Sequence, residues 1–201
     1  REVQMRVRNE EAYKSKKEIV MESCFNCFAE NGLHGTGIAA LSQYCHLSKT
    51  AFYIYFHDVD DLITQCTAYV MSKVVMDFVN RVPANPLEVR KFFEELPYRN
   101  RDEHGAKYRV MYQVYTHPKY IRAGKEFLES LNPYYEQYAA RMESMMYVPR
   151  EKLVSLFRIY MRTCVNFAIF ENEEELKREM AVLEESFMLL RAKYKVDNRI
   201  G

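Results

Sequence analysis

Glycine and proline are scarce in this chain, which has six of each among 201 residues. Both residues interrupt regular structure, so their scarcity beside abundant Glu, Lys, Leu, Met and Arg favours an all-helical fold. No apolar run approaches the roughly 20 residues that a membrane-spanning helix needs, and we expect no membrane contact. The first 18 residues are polar and charged, so we expect no signal peptide there.

The five cysteines are an odd number without the spacing of a disulfide framework. This pattern favours reduced thiols in a cytoplasm. Cys24 and Cys27 form a Cys-x-x-Cys motif, which suits a redox pair or half of a metal site. Both lie on the apolar stripe of a predicted helix, and no second pair or nearby His completes a ligand set. We therefore favour core packing and predict no metal and no cofactor.

Catalytic motifs are also absent from the sequence. The five His do not cluster, and neither a Ser-His-Asp order nor a His-Glu-x-x-His pattern occurs. There is no glycine-rich phosphate loop. The acidic run at 171–175 is explained as a helix start capped by Asn172. We expect that the protein is not an enzyme.

Charge is unevenly distributed, although the net charge is only +1. Residues 1–17 hold six Lys or Arg against three Glu, while residues 31–57 hold Lys49 and no acid. Short windows also lack acids by chance, but a basic arm before an acid-free segment favours nucleic-acid binding. We expect the arm from Arg6 to Lys17 to supply much of a salt-dependent affinity, so neutral replacements at Arg6, Arg8 and Lys14 should flatten the salt dependence.

Helix signals in the first third predict a helix-turn-helix. A first helix at about 11–30 ends at Asn31-Gly32, and a second at 38–44 begins after Thr36, its predicted cap. Cys45-His46 forms the turn. A third helix at 47–56 is capped by Ser48, and a fourth runs from Asp58 to about residue 81.

The third helix has the properties of a DNA recognition helix. Phe52 and Phe56, four residues apart, anchor one face to a core. The remaining polar face comprises Lys49, Thr50, Tyr53 and Tyr55. Such a helix suits a DNA major groove, where polar side chains reach phosphates and base edges. The pattern predicts a transcription regulator whose partner is double-stranded DNA.

Pro83 and Pro86 indicate a boundary, so we expect a DNA-binding domain at 1–60, a connecting helix at 61–82 and a second domain at 83–201. Asn85 is a predicted cap, followed by Pro86 in the first turn. A separate helix around Tyr108 should stop at His117-Pro118, and Asn132-Pro133 should kink or split the next one.

The last two predicted helices carry apolar residues at alternating steps of three and four, which is a heptad-like seam. Each helix also has apolar residues off this seam, namely Val154, Met161, Val165 and Ala168 in one helix, and Val182 and Leu189 in the other. The helices therefore need two partners. One is their own core, and the other is a second subunit in a homodimer; burial within one monomer is the alternative. The predicted dimer interface comprises Leu153, Phe157, Tyr160, Cys164, Leu176, Met180, Leu183, Phe187 and Leu190.

Tyrosine and methionine crowd the middle of the second domain. An aromatic core is one interpretation. The functional one is a pocket, because tyrosine offers an apolar ring with a polar tip and methionine adapts to varied shapes. The predicted ligand-binding residues are Tyr108, Met111, Tyr112, Tyr115, Tyr135, Tyr138 and Met142.

Residues 13–63 resemble the TetR family of bacterial repressors. The matching elements, in order, are Phe28-Ala29-Glu30-Asn31-Gly32, Thr36, Ile38, Leu41, Leu47-Ser48-Lys49, Tyr53, Phe56 and Asp61-Leu62-Ile63. The sequence departs from the family pattern at Thr50-Ala51, where Gly-Thr is frequent, and at Ile54-Tyr55, where Tyr-His is frequent. Tyr44-Cys45-His46 replaces the common Ala-Ala-Gly, and Ala39 replaces a common Arg.

The resemblance implies roles for individual residues. Thr36, Lys49 and Tyr53 look like phosphate contacts, and Ser48, Thr50 and Tyr55 look like groove contacts. It also implies a small-molecule inducer that releases a dimeric repressor from a palindromic operator. The alternative is a helical ligand-binding or interaction protein that does not bind DNA, favoured by Ala39 and by three acids near the recognition helix, Asp58, Asp60 and Asp61.

Overall fold

A computed structural model describes residues 2–33, 36–81, 83 and 85–197; for residues 2–9, 86, 89, 196 and 197 it describes the backbone alone. These residues form helices and no strand, which confirms the all-helical prediction. The helices are α1 (Glu2–Asn31), α2 (Ile38–Tyr44), α3 (Lys49–Tyr55), α4 (Val59–Asn80), α5 (Pro86–Thr116), α6 (Ile121–Ser130), α7 (Asn132–Met146), α8 (Arg150–Phe170) and α9 (Glu173–Asp197).

The chain divides into two compact units. Unit 1 comprises Arg1–Val75 with Arg109–Lys125, and unit 2 comprises Met76–Tyr108 with Glu126–Gly201. The predicted domains were continuous in sequence, whereas each unit combines two segments. The reason is that α4 and α5 are long and contribute residues to both units.

Helix α1 begins at Glu2, nine residues before the predicted start. The basic arm therefore has a helical backbone; the side chains of Arg6 and Arg8 lie outside the described residues. The buried face of α1 includes Cys24, Phe25 and Phe28. Ile19 of the same helix has the spacing of an apolar stripe with Cys27, but it is 62% exposed and does not belong to the buried face.

Gly32 ends α1 as predicted, with a φ of 77° and its N–H donating to the Phe28 carbonyl. The cap predicted for α2 is wrong. Gly37 holds the N-cap position without a side-chain bond, and the buried Thr36 donates its hydroxyl to the Gly32 carbonyl. Thr36 thus closes the preceding turn instead of starting the helix.

Asn85 caps α5 as predicted, since its side-chain oxygen accepts from the backbone N–H groups of Leu87 and Glu88. The prediction of a separate later helix was wrong, because α5 continues through Pro97 to Thr116. A proline removes the hydrogen bond to the carbonyl four residues earlier. That carbonyl belongs to Phe93, and the Tyr160 hydroxyl donates to it at 3.1 Å. The side chain from α8 replaces the missing bond.

The break at Asn132-Pro133 is confirmed, because α6 ends at Ser130 and α7 begins at Asn132. The start of α6 lies very close to α5. A Cβ added to Gly124 would lie 2.8 Å from the Cβ of Tyr115 and 2.9 Å from its carbonyl oxygen. Only glycine permits this approach, so Gly124 fixes the α5–α6 corner within unit 1.

The seam of α8 and α9 faces the core of unit 2. Leu153, Phe157, Tyr160, Cys164 and Leu176 are buried within the single chain. The other predicted interface residues, Met180, Leu183, Phe187 and Leu190, pack against the same core. The single chain thus supports the alternative of burial within one monomer for this seam, and the dimer interface remains a prediction, because periodicity identifies an apolar face without identifying what covers it. The exposed large apolar side chains of these helices include Ile159, Val182, Met188 and Leu189.

Two helices, α4 and α8, are long and apolar enough to cross a membrane by length and composition. This corrects our expectation that no segment approaches that length. Core helices of soluble proteins pass the same test, and both helices bury one side within the fold, for example at Leu62 and Phe157. The length and composition of these two helices are therefore only weak evidence that either helix crosses a membrane.

Candidate nucleic-acid interface and ligand cavity

Helix α3 is held by its cap and two aromatic anchors. The Ser48 hydroxyl oxygen accepts from the Ala51 N–H at 3.2 Å, as predicted. Phe52 and Phe56 are buried, also as predicted, with exposed fractions of 1% and 4%. Cap and anchors together fix which side of this seven-residue helix faces outward.

The outward face of α3 carries Lys49, Thr50, Tyr53 and Ile54, all exposed. Lys49 and Tyr53 are four residues apart, as are Thr50 and Ile54, so the two pairs form neighbouring rows on one side of the helix. Our sequence interpretation missed Ile54, which is 63% exposed. Its spacing of four from Thr50 was the signal that could have placed it there. The face therefore offers a cation, two hydroxyls and one apolar contact.

Tyr55 lies against α1 more than on the outward face. It is half-buried, and its ring centroid is 5.2 Å from that of Tyr13. The Tyr13 hydroxyl also donates to the Ile54 carbonyl at 3.0 Å. These contacts attach α3 to α1, so Tyr55 has a packing role that the sequence did not reveal. Thr36 is buried with its hydroxyl bonded, so its side chain is not available to a phosphate in this structure.

The three acids that follow α3 all have partners in the chain. Asp58 accepts from the Asp61 N–H at 2.8 Å, and this bond lowers the pKa of Asp58. Asp61 accepts from the His57 N–H at 2.9 Å. Asp60 receives bonds from Lys119 and Tyr120 at 2.5 and 2.6 Å, which lower its pKa. The negative charge near α3 is therefore partly neutralised within unit 1.

The thiols of unit 1 are arranged differently from the Cys-x-x-Cys motif. Cys24 faces Cys45, with 3.6 Å between the sulfurs, whereas Cys27 accepts a bond from Asn31. The bond to Cys24, followed by burial, raises the pKa of Cys45. A raised pKa disfavours the reactive thiolate, which supports the packing interpretation.

A cavity of about 660 Å³ lies within unit 2, between α5, α7, α8 and α9. Most of its wall is apolar, and methionines contribute at four positions. The lining comprises Arg90, Phe93, Glu94, Pro97, Tyr98, Met142, Met146, Leu153, Leu156, Phe157, Tyr160, Leu176, Lys177, Met180, Leu183, Glu184, Phe187, Met188 and Arg191.

Among the seven predicted ligand residues, Met142 alone lines this cavity. Met111, Tyr112 and Tyr115 belong to unit 1. Tyr108, Tyr135 and Tyr138 belong to unit 2 and pack in its interior; burial raises the pKa of all three. The tyrosine-rich stretch is thus divided between two cores. Sequence spacing could not show that division, because α5 runs through both units.

One cluster in unit 2 has ligand types suited to a metal ion, namely Asp77, Glu103 and His104. Their potential ligand atoms lie within 4.8 Å of one another. The guanidinium of Arg81 is already 2.8 Å from Asp77 and 3.5 Å from Glu103, and Lys107 lies 3.3 Å from His104. These cations balance the carboxylates, so a metal would have to displace them, and the cluster is best described as an ion-pair network.

Comparison with known proteins connects this geometry to a family. Residues 14–66 match the family model described as "Bacterial regulatory proteins, tetR family". An HTH-type transcriptional regulator of Bacillus subtilis, YuxN, is 30% identical over 67 residues, which are 33% of this chain and 23% of that protein. The curated relative is thus matched over less than a quarter of its own length.

Solved structures extend the similarity beyond the matched segment. A TetR transcription regulator from Haloarcula marismortui superimposes with a TM-score of 0.67 at 16% identity, covering 88% of this chain and 98% of that one. The TetR-family repressor FadR of Thermus thermophilus, solved with lauroyl-CoA, gives a TM-score of 0.57 at 13% identity, covering 86% and 93%. At these identities the structures show the shared fold. The predicted resemblance to the TetR family is confirmed for residues 14–66, and the chain shares its fold with solved TetR-family regulators.

Proposed function

We propose that this regulator is a homodimeric repressor that binds a palindromic operator and is released by a small-molecule inducer. The observation that carries the proposal is the outward face of α3. Lys49, Thr50 and Tyr53 are exposed on a helix whose opposite face is fixed by Phe52 and Phe56. A short rigid helix with a polar outer face is what major-groove recognition requires.

In this proposal the DNA contacts of α3 fall into two groups, those to phosphates and those to base edges. Lys49 and Tyr53 bind phosphates, and Ser48 and Thr50 contact base edges in the groove. We add Ile54 to this set, because an exposed apolar side chain on the recognition face suits the methyl group of thymine. Tyr55 contributes chiefly by holding α3 against α1, although its hydroxyl remains a candidate groove contact.

Dimerisation uses the outer face of α8 and α9 in this proposal. Ile159, Val182 and Leu189 are between 49% and 65% exposed in the single chain, although all three are large and apolar. Two-fold symmetry explains why such a regulator reads a palindrome. The inner seam packs the protomer and does not contact the second subunit.

Ligand binding fits the cavity of unit 2, whose volume lies in the range of small-molecule sites. Thermus thermophilus FadR, which shares the fold, was solved in complex with lauroyl-CoA, and this supports ligand binding by the present protein. Helix α5 lines the cavity near Phe93 and leads at its other end to Lys119 and Tyr120, which bind Asp60 at the start of α4. A ligand that binds more tightly to a conformation with α5 in a different position would lower the operator affinity. The loss of operator-binding free energy cannot exceed the difference in the ligand's binding free energy between the two conformations.

The acids near α3, which favoured a protein without DNA binding, support the repressor once their contacts are considered. Asp58 and Asp61 stabilise the start of α4, and Asp60 is paired with Lys119. We place the protein in the cytoplasm, where operator DNA is found and free thiols stay reduced.

Selection of binders from a random DNA pool tests the proposal. We expect enrichment of one palindrome, because two recognition helices bind related half-sites. Lys49→Met should weaken binding to that palindrome and reduce the slope of log affinity against log salt by about 1. Lys91→Met, which removes an exposed lysine of α5, is the matched control and should leave both unchanged. A pool without enrichment at low salt would refute DNA recognition.

A further inference from the structure

The cavity of unit 2 is a partly open groove, because lining residues such as Glu184 and Met188 are exposed. Its volume of about 660 Å³ lies in the range of small-molecule sites, and most of its wall is apolar. A ligand that covers this wall would remove apolar side chains from water, which is favourable. The wall therefore defines the chemistry of such a ligand.

The cavity is elongated. Along α9 the lining residues extend from Leu176 to Arg191, with Met180, Leu183 and Phe187 between them. Fifteen residue steps of a helix correspond to about 22 Å. All five residues recur at intervals of three or four, so they lie on one face. A long flexible chain fits such a groove better than a compact ring system, and Met142, Met146, Met180 and Met188 can adapt to it.

Of the five charged side chains in the wall, Arg90, Glu94 and Lys177 form ion pairs, whereas Glu184 and Arg191 form none with a described residue. The Arg90 guanidinium pairs with Glu94 at 2.9 Å, and Lys177 pairs with Glu173 at 2.9 Å. Arg191 has no ion pair with any residue that the structure describes, and its Nε is buried without a hydrogen-bond acceptor there. A buried donor left without an acceptor is costly, and its presence in a wall indicates that the acceptor comes from outside.

We infer that the cavity binds a long-chain amphipathic carboxylate, with its head group on Arg191 and its tail along Met180, Leu183 and Phe187. A guanidinium binds a carboxylate through two parallel hydrogen bonds, which would satisfy Nε together with one terminal nitrogen. The acids of the wall do not favour a cation, because Glu94 is paired with Arg90 and Glu184 lies near the same arginine. The inference rests on the proposed function only in making this ligand the inducer.

Direct binding tests the ligand class without DNA. Dodecanoate, dodecanol and dodecyltrimethylammonium share one chain length and differ in the head group. Each would displace a fluorescent fatty acid from the purified regulator, with the dissociation constant as readout. We expect dodecanoate to bind at least 10-fold more tightly than the alcohol and the ammonium compound to bind most weakly. Equal or tighter binding of the alcohol would overturn the role of Arg191.

Variants locate the head group. Arg191→Gln should weaken dodecanoate at least 10-fold and leave dodecanol unchanged, whereas Arg191→Lys should retain part of the preference. Arg178→Gln removes an exposed arginine of the same helix outside the cavity, and should change neither ligand. Leu183→Trp should block both ligands by filling the groove. If Arg191→Gln binds dodecanoate like the wild type while melting normally, the inference fails.

Operator binding separates this inference from the proposed function. If the protein binds its palindrome but not dodecanoate, the result supports the repressor function and refutes a carboxylate as the ligand. A protein that binds dodecanoate through Arg191 without losing operator affinity supports the ligand class and refutes its role as inducer. Release of the operator by dodecanoate, absent in Arg191→Gln, supports both.

Discussion

The two units differ in how their buried polar groups are satisfied. In unit 1 the buried hydroxyls of Thr36 and Thr67 each donate to a backbone carbonyl, and one buried side-chain oxygen, Ser42 Oγ, has no partner among the described residues. In unit 2 the buried Asn100 Nδ2, Tyr138 hydroxyl and Arg191 Nε have no partner among the described residues, and the core contains a large cavity. The difference is one of degree: in the part of the chain that the structure describes, unit 1 leaves one such atom unpaired, whereas unit 2 leaves three and also contains the cavity. The helices of unit 1 therefore pack more completely around their polar groups than those of unit 2, where part of the interior is unfilled.

Removing one aromatic ring from each unit gives the largest contrast. Phe52→Ala should lower the free energy of unfolding by about 3–5 kcal/mol, since the ring is almost fully buried. Phe187→Ala should cost roughly half as much or less, because that ring borders the cavity and is only partly buried. Urea denaturation followed by circular dichroism measures both, and equal losses would contradict the comparison.

The sequence predicted where helices begin more accurately than it predicted which partner covers each helical face. Caps such as Ser48 and Asn85 have local signals, so the starts of α3 and α5 follow from a few neighbouring residues. The continuation of α5 through Pro97 depends on Tyr160, which lies 63 residues later and supplies the missing bond. No local pattern contains that information.

The candidate sites show the same limit. The outward side of α3 follows from Phe52 and Phe56, four residues apart, so Lys49, Thr50 and Tyr53 could be identified from the sequence. The cavity could not, because its wall is assembled from four helices. The sequence reveals a tyrosine-rich stretch and a regular apolar seam. Whether these residues face a core, a cavity or a second subunit depends on tertiary packing.

Two tyrosines of unit 2 offer a test of unsatisfied polar groups. The hydroxyl of Tyr138 is buried without a partner, whereas the hydroxyl of Tyr160 donates to the Phe93 carbonyl. Tyr138→Phe should raise the free energy of unfolding by about 1 kcal/mol, because it removes an unpaired polar group. Tyr160→Phe should lower it by about 1–2 kcal/mol, since the carbonyl freed by Pro97 loses its donor. We expect the two variants to shift the melting temperature in opposite directions. Two shifts of the same sign would show that the unpaired hydroxyl of Tyr138 does not destabilise the fold.

Acid titration compares one carboxylate from each unit. Partial burial alone would raise the pKa of Asp77, but the bond to His104 and the charge of Arg81 outweigh it, so the pKa is lowered. The pKa of Asp60 is lowered by its bond to Lys119. A lowered pKa stabilises the fold above the unfolded value of about 3.9, and this contribution disappears as pH falls through the folded pKa. Asp77→Asn should cost about 1 kcal/mol at pH 7, allowing for solvent screening, and little at pH 3. Thermal melts of wild type and variant from pH 7 to 3 should converge; parallel curves would argue against the ion-pair network.

The smallest expected effect concerns backbone strain in unit 1. His46, in the turn before α3, has a φ of 53°, a left-handed conformation that favours glycine. His46→Gly relieves about 1 kcal/mol of steric strain but adds backbone freedom to the unfolded chain, so we expect a net stabilisation of about 0.5 kcal/mol. His46→Ala is the control, because it removes the imidazole and keeps the strain, and it should not stabilise. If both variants stabilise the protein equally, the imidazole and not the backbone is the source. A gain confined to glycine would show that even the tightly packed unit retains one strained position, located where the turn positions α3 for DNA.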